Sequence, residues 1–203
     1  TDDVRMSPAI ELCQRLQKEG AALRVYDPKA MDKAKTLDTQ LNVLLEFDPV
    51  IPASYQDCEF LMLSNLMPQL QRQVIERLHK RPKLIVMDTM NFWMETAMPE
   101  LDEVLREVDV LMVNDSEARQ LVSDDNVVNA LAKIHRMGPK YVIIKKGSHG
   151  SILSGPGGIF ICPAYPLLKV VDPTGAGDSF VGGMMAYLAT ARGGIEANIR
   201  RAM

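Results

Sequence analysis

The sequence predicts an α/β protein with a doubly wound, mostly parallel sheet flanked by helices. Short apolar runs that contain β-branched residues alternate with longer amphipathic runs, which is the pattern of successive βα units. The chain has 203 residues, of which 47% are hydrophobic and 24% charged, so it can bury a core and has an ordinary globular composition. This composition argues against a wholly disordered or fibrous chain.

Seven short apolar runs, each bounded by polar or turn-forming residues, are predicted as strands. They are Leu23–Tyr26, Phe60–Ser64, Leu84–Asp88, Val110–Val113, Tyr141–Lys145, Ile159–Cys162 and Lys169–Val171. The glycine-rich run Ser154-Gly-Pro-Gly-Gly158 lies between two strand-like segments and predicts a hairpin loop. We therefore expect a small antiparallel hairpin in addition to the parallel strands.

Five amphipathic segments are predicted as helices from their apolar spacing and their start and stop signals. Ser7 and Pro8 suit the cap and the first residue of the first helix, and Gly20 suits its end. The five segments are Pro8–Lys18, Pro68–His79, Ser116–Val122, Val127–Met137 and Gly177–Ala191.

Charge and hydropathy exclude two classes of partner. The chain has 23 basic and 26 acidic residues, a net charge of -3, so it has no basic surplus for binding a phosphate backbone, and no nucleic acid is expected. No apolar run approaches the roughly 18 residues that span a bilayer, and the first residues do not resemble a signal segment. We expect no membrane partner and a cytoplasmic location.

The cysteines indicate neither a disulfide framework nor a zinc site. Cys13, Cys58 and Cys162 are widely spaced, odd in number and free of CxxC spacing. This usage is typical of a protein from a reducing compartment.

The clearest chemical signal lies between Lys169 and Ala191. A predicted strand leads into the turn Gly175-Ala176-Gly177, and a helix is expected to begin at or just after Asp178. Main-chain N–H groups in such a turn bind anions such as phosphate. A carboxylate there repels phosphate, so we expect Asp178 to handle a proton or a metal. The residues also allow a plain turn with a helix cap and close-packed glycines.

The segment Asp172-Pro-Thr-Gly-Ala-Gly-Asp-Ser-Phe-Val-Gly-Gly183 resembles the carboxyl-terminal signature of the PfkB, or ribokinase-like, family of carbohydrate and nucleoside kinases. That signature is written D-T-x-G-A-G-D-x-F-x-G-G, and Pro173 replaces its second residue. The resemblance implies a ribokinase-like fold. It also implies that Asp178 is the catalytic base, that the amides of residues 175–177 form an anion hole for the transferred phosphoryl group, and that Thr174 binds the nucleotide.

A second segment, Val110-Leu-Met-Val-Asn-Asp-Ser-Glu117, resembles the N-x-x-E element of the same family. The resemblance implies that Asn114 and Glu117 help to hold magnesium and the waters bound to phosphate. The residues alone also form a capping box, in which the two side chains close the start of a helix. Both interpretations stay open from the sequence.

A third segment, Val142-Ile-Ile-Lys-Lys-Gly-Ser-His-Gly150, resembles the strand and glycine turn that border the nucleotide in this family. Many relatives read T-L-G-x-x-G there, whereas this chain has Lys145 and Lys146 at the first two positions. The resemblance implies that Lys145, Gly147, Ser148 and Gly150 contact the nucleotide. The strand Leu84–Asp88 and the polar residues after it fit either a substrate-facing strand end or a strand that reaches solvent.

Residues 1–36 resemble a different family. Thr1-Asp-Asp-Val-Arg-Met-Ser-Pro8 and the later Tyr26-Asp-Pro28 are similar to the UDP-sugar-binding domain of UDP-glucose and GDP-mannose dehydrogenases. We therefore expect a boundary near Lys33–Leu37 between a dehydrogenase-like piece at 1–36 and a kinase domain at 37–203 that is incomplete at both ends. Hydride transfer is not expected, because no GxGxxG motif follows a strand.

The function expected from the resemblance is ATP-dependent, Mg²⁺-dependent phosphorylation of a hydroxyl on a sugar or nucleoside. The alternative is a non-catalytic nucleotide-binding α/β module, or a chimeric scaffold of two enzyme fragments. ATP and Mg²⁺ are the expected cofactors, and a small sugar or nucleoside is the expected partner. The sequence leaves a homodimer open.

Overall fold

Strands form where the short apolar runs predict them. A computed structural model describes residues 46–170, 172 and 175–203, and this part of the chain contains six strands. They are β1 (Phe60–Leu63), β2 (Leu84–Asp88), β3 (Val110–Asn114), β4 (Tyr141–Lys145), β5 (Ser151–Gly155) and β6 (Gly158–Cys162). The strands lie in the order β1-β2-β3-β4-β5-β6 in one sheet.

Parallel pairing joins the first four strands, and antiparallel pairing joins the last three. The two-residue loop Pro156-Gly157 connects β5 to β6, so the predicted hairpin is confirmed. The mostly parallel sheet with flanking helices is also confirmed.

Seven α-helices are present among the described residues. They are α1 (Pro68–Glu76), α2 (Asn91–Thr96), α3 (Met98–Leu105), α4 (Asp115–Val122), α5 (Val127–Met137), α6 (Ala176–Thr190) and α7 (Ile195–Asn198). One-turn 3₁₀ helices occur at Ala53–Tyr55 and Gly147–His149. None of the described helices is both long and apolar enough to cross a membrane.

The sheet has an apolar core on each face because successive side chains of a strand point to opposite sides. On β2, Ile85 and Met87 face the core that α1–α5 cover, whereas Leu84 and Val86 face the core that α6 and α7 cover. Strands β2, β3 and β4 are buried along their length except at the last residue of each. Parallel strands covered on both faces read as continuous apolar runs, which explains why these three were predictable.

Several predicted elements need correction. Lys169 and Val170 are not in a strand; they are exposed and have no β-partner in the described part of the chain. Helix α1 ends at Glu76 and not at His79. Helices α2 and α3 were not predicted, because both are short and Pro99 interrupts the apolar pattern; in the structure it lies in the first turn of α3, where proline is tolerated.

Two predicted elements, Pro8–Lys18 and Leu23–Tyr26, lie outside the described residues, as does the predicted boundary near Lys33–Leu37. These stay predictions.

Candidate active site

Polar side chains end three neighbouring parallel strands. Asp88 ends β2, Asn114 ends β3 and Lys145 ends β4, and the ladder pairs Asn114 directly with Lys145. Because parallel strands point the same way, all three residues lie at the carboxyl-terminal edge of the sheet. Ligands of open α/β sheets bind beyond this edge.

The Asp88 carboxylate and the Lys145 ammonium form a largely buried ion pair. Lys145 Nζ lies 3.4 Å from Asp88 Oδ2, and the two side chains are 22% and 13% exposed. The Thr89 N–H donates to Asp88 Oδ1 at 2.9 Å, so both carboxylate oxygens are engaged. Burial raises the pKa of Asp88, while Lys145 and the Thr89 N–H oppose the rise and the charge of Asp178 adds to it.

Asn114 and Glu117 form a complete capping box at the start of α4. The Glu117 N–H donates to Asn114 Oδ1 at 2.8 Å, and the Asn114 N–H donates to Glu117 Oε2 at 2.7 Å. Ser116 Oγ donates to the same Asn114 oxygen at 2.7 Å. The capping interpretation is therefore confirmed, and a role in metal binding stays a prediction.

The Glu117 carboxyl belongs to the same electrostatic cluster as Asp88 and Lys145. Burial raises the pKa of Glu117 to about 7. Its hydrogen bond from the Asn114 main chain opposes the rise, the Asp88 charge adds to it, and the Lys145 charge opposes it. The acids and the lysine thus influence one another's charge state at this edge.

Helix α6 begins without a side-chain cap. Its N-cap is Gly175, which has a left-handed φ of +73°, and the first internal bond runs from the Ser179 N–H to the Gly175 carbonyl at 2.8 Å. The N–H groups of Ala176, Gly177 and Asp178 precede that bond, so the helix itself provides no partner for them. The helix begins at Ala176, one residue before the predicted segment Gly177–Ala191 and two residues before Asp178, so Ala176 and Gly177 belong to the helix.

Lys145 connects the start of α6 to the strand ends. A Cβ atom added to Gly177 would lie 3.1 Å from Lys145 Nζ, so the ammonium lies directly against the main chain of this turn. Asp178 is exposed in the first turn of α6, and its negative charge raises the pKa of Asp88. The structure therefore brings together Asn114, Glu117, Lys145 and residues 175–178.

The remaining predicted nucleotide residues follow β4. Gly147 and Ser148 lie in the 3₁₀ turn, and Gly150 follows it with a φ of +87°. A Cβ atom on Gly150 would lie 2.0 Å from the Cys162 carbonyl oxygen, so the close approach of β6 requires glycine here. Whether these residues contact a nucleotide stays a prediction, and Thr174 lies outside the described residues.

Asp88 is the site residue that was not predicted from the sequence. Its strand end allowed two interpretations, and the buried ion pair with Lys145 places Asp88 in the cluster. An acidic residue that ends a continuous apolar strand was the available signal. Its lysine partner is 57 residues away in the sequence, so no local pattern identified the pair.

The donor atoms at this edge fit magnesium. In the residues that the structure describes, no group of three or more His, Cys, Asp or Glu side chains is placed to hold a metal ion. Mg²⁺ in proteins is instead usually held by one or two carboxylates together with waters and substrate phosphates. The oxygen atoms of Asn114 and Glu117 are hard donors of the type that Mg²⁺ prefers.

Sequence comparison identifies kinases as relatives. A sequence profile described as "pfkB family carbohydrate kinase" matches residues 10–203. The chain is 30% identical over 147 residues to the cytidine kinase of Thermococcus kodakarensis, which covers 70% of this chain and 52% of that protein. It is 34% identical over 114 residues to the ribokinase of Arabidopsis thaliana, which covers 53% of this chain and 29% of that protein.

Solved structures give the same result. The aminoimidazole riboside kinase of Salmonella enterica, complexed with aminoimidazole riboside and an ATP analogue, matches with a TM-score of 0.60 and 26% identity, covering 71% of this chain and 52% of that chain. A ribokinase II of E. coli, described as putative, matches with a TM-score of 0.64 at 23% identity over 75% of this chain and 51% of that chain, which supports the fold alone. The matched part spans about half the length of each of these two structures.

The profile match also bears on the amino-terminal segment. It begins at residue 10 and so includes most of the segment 1–36 for which a dehydrogenase resemblance was stated. These findings do not support that resemblance, and they do not favour a non-catalytic module or a chimeric scaffold.

Proposed function

Because the chain belongs to the pfkB family of carbohydrate kinases, we propose that it takes part in transfer of the terminal phosphoryl group of ATP to a hydroxyl of a sugar or nucleoside. The observation that carries the proposal is the uncapped start of α6, where Asp178 lies in the first turn and the Lys145 ammonium lies 3.1 Å from the place that a Gly177 Cβ would occupy.

The reaction exchanges one P–O bond for another and transfers one proton. The acceptor hydroxyl oxygen attacks the terminal phosphorus, the bond from that phosphorus to the bridging oxygen of ADP breaks, and the hydroxyl proton passes to the Asp178 carboxylate. Asp178 is exposed in the first turn of α6, where an acceptor can reach it. The transition state is loose, so positioning and charge stabilisation contribute most of the acceleration.

The other predicted residues bind and orient the nucleotide. The N–H groups of residues 175–177 donate to phosphoryl oxygens, and Thr174 and the turn at 147–150 border the nucleotide. Asn114 and Glu117 provide oxygen atoms for Mg²⁺. When bound, Mg²⁺ neutralises part of the phosphate charge.

The named relatives support the proposed substrate class. Those named above are a cytidine kinase, a ribokinase and an aminoimidazole riboside kinase, so the acceptor proposed here is a sugar or a nucleoside. Since the chain spans only about half of the cytidine kinase, activity of this chain by itself is part of the proposal.

The test is the variant Asp178→Asn, which keeps the shape of the side chain and removes the base. We expect turnover with ATP and the best acceptor from a panel of sugars and nucleosides to fall at least about a hundredfold, the size of a general-base contribution. The affinity for ATP, measured by calorimetry, should change little.

The matched control is Glu196→Gln, which removes an acidic residue from the first turn of α7, a helix outside the candidate site. Its turnover should equal that of the wild type. Undiminished turnover in Asp178→Asn would remove this residue from the mechanism, and ATP binding without turnover of any acceptor would contradict the proposed function of the chain.

A further inference from the structure

We infer that the Lys145 ammonium contacts the phosphate chain of the bound nucleotide and that the Asp88 carboxylate positions this ammonium. This inference rests on the proposed function and adds a cation to it. The T-L-G-x-x-G motif of many relatives has threonine at the position of Lys145 and so provides no positive charge there. Lys145 is then a phosphate-binding residue, and Asp88 is a positioning residue.

The first step is the anchoring of the lysine. A lysine side chain is long and flexible, and its ammonium is a mobile point charge at most surfaces. Here one of its three N–H groups is directed to Asp88 Oδ2 at 3.4 Å, and the Thr89 N–H fixes the other oxygen of that carboxylate. Both partners are largely buried, so the ammonium is confined and two of its donors are available for another acceptor.

The second step is the position of the ammonium relative to the helix start. It lies 3.1 Å from the place that a Gly177 Cβ would occupy, in the uncapped first turn of α6. An anion bound to the N–H groups of this turn therefore lies within reach of Lys145. Alanine at 177 would compete with the ammonium for this space.

The third step is the balance of charge. Asp88, Glu117 and Asp178 belong to one electrostatic cluster, because the Asp178 charge acts on Asp88 and the Asp88 charge acts on Glu117. Ionised carboxylates in this cluster repel a polyphosphate. Lys145 is the cation that interacts with both Asp88 and Glu117. A partly buried cation acts more strongly on a phosphate than one in water, because the local dielectric constant is lower.

A purely structural role for Lys145 makes a different prediction. If the lysine only neutralises Asp88, its loss lowers the stability of the fold but affects all nucleotides equally. If the lysine contacts the phosphate chain, its loss weakens the binding of ATP much more than the binding of AMP. The ratio of the ATP and AMP dissociation constants therefore separates the two roles.

The experiment is calorimetric titration of the full chain with ATP and with AMP in the presence of Mg²⁺. Lys145→Met should weaken ATP binding at least tenfold, the size expected for one charge-assisted contact, and AMP binding less than twofold. Lys146→Met is the matched control, since it removes the same charge from the next residue, and it should leave both constants unchanged.

Two more variants test the positioning. Asp88→Asn keeps the lysine and removes the carboxylate charge that anchors it, so the affinity for ATP should fall about threefold while the affinity for AMP is unchanged. This loss is smaller than the loss expected in Lys145→Met. Gly177→Ala should weaken ATP binding because the added methyl group displaces the ammonium. In a Lys145→Met background the same change should cause no further loss of ATP affinity. Urea midpoints for each variant confirm that folded protein is compared.

The outcomes separate this inference from the proposed function. A wild-type chain that binds no ATP overturns both. A wild-type chain that binds ATP, with an unchanged ATP-to-AMP ratio in Lys145→Met, overturns the role of Lys145 alone. Equal effects of Lys145→Met and Lys146→Met, or additive effects of Gly177→Ala and Lys145→Met, also overturn it.

Discussion

Helices α4 and α6 begin with a carboxylate at the same position, three residues after the N-cap, yet the two carboxylates have opposite environments. In α4, Glu117 folds back onto the N-cap Asn114 and is 9% exposed. In α6, the N-cap is Gly175, which has no side chain to form a cap, and Asp178 is exposed. A helix start that binds its own side chains is closed to a ligand, whereas one without a cap leaves N–H groups and an acid available.

The two helix starts satisfy their unpaired N–H groups in different ways. Both helix starts attract negative charge because N–H groups there lack partners. At α4 this demand is met by Asn114 Oδ1 and Glu117 Oε2 within the chain. At α6 the helix provides no such acceptor to Ala176 or Gly177, which is why we assign the phosphate to α6 and only a supporting role to α4.

The largest expected effect concerns the buried acid of α4. Because the pKa of Glu117 in the folded protein is about 7, above its ordinary value of 4.5, the folded state binds the proton more tightly than the unfolded state does. The stability from this group is complete below pH 4.5 and is lost as the pH rises through about 7. From pH 4.5 to 8 the loss should be on the order of 3 kcal/mol.

The variant Glu117→Gln keeps the capping box and cannot titrate, so the free energy of unfolding of the wild type relative to this variant should fall by that amount over the same range. Urea unfolding at a series of pH values measures it. Glu196→Gln, which alters an exposed acid in the first turn of α7, should show the wild-type slope. Identical slopes for Glu117→Gln and the wild type would mean that the two acids do not differ in the way described.

A smaller effect is expected from breaking the cap itself. Asn114→Ala removes the oxygen that accepts hydrogen bonds from the Glu117 N–H and from Ser116 Oγ. The free energy of unfolding should fall by about 1 to 2 kcal/mol, the usual cost of replacing an N-cap asparagine by alanine. Chemical denaturation without nucleotide or metal measures this loss.

Asp178→Asn is the matched change at α6. Since Asp178 makes no cap, its replacement should alter the unfolding free energy by less than about 0.5 kcal/mol, as for an ordinary surface position. A loss at Asp178 as large as that at Asn114 would show that both helix starts are structural and would remove the contrast between them.

The strands and the helix starts were largely predictable because each depends on local sequence. The apolar runs ending at Asp88 and Lys145 have the predicted bounds, and the glycine turn at 175–177 marks the start of α6 within one residue. Helix α2 was not predicted, because it begins only three residues after the end of β2 and its six residues are too few to show an apolar period.

The chemistry of the site was less predictable because it depends on distant residues. The pairing of Asp88 with Lys145 and the effect of Asp178 on Asp88 both follow from the meeting of strand ends and α6 at one edge. The raised pKa of Glu117 depends on burial, which a capping-box pattern does not specify. Sequence identified the residue types, and the fold determined which of them interact.

A glycine substitution tests whether the open start of α6 depends on the backbone conformation of Gly175 or on the space around it. Gly175 has a φ of +73°, and nothing lies within 4 Å of an added Cβ. Gly175→Ala should therefore lower the free energy of unfolding by about 1 kcal/mol, the cost of the left-handed conformation, without a steric clash.

Gly182→Ala is the matched control, because Gly182 lies inside the same helix, also has no atom within 4 Å of an added Cβ, and has an ordinary helical φ. Alanine there should raise the unfolding free energy by about 0.5 to 1 kcal/mol. Opposite signs at the two positions would show that glycine at 175 is required by the backbone geometry that leaves the N–H groups open, whereas a gain at both would mean that this geometry adapts to an ordinary residue.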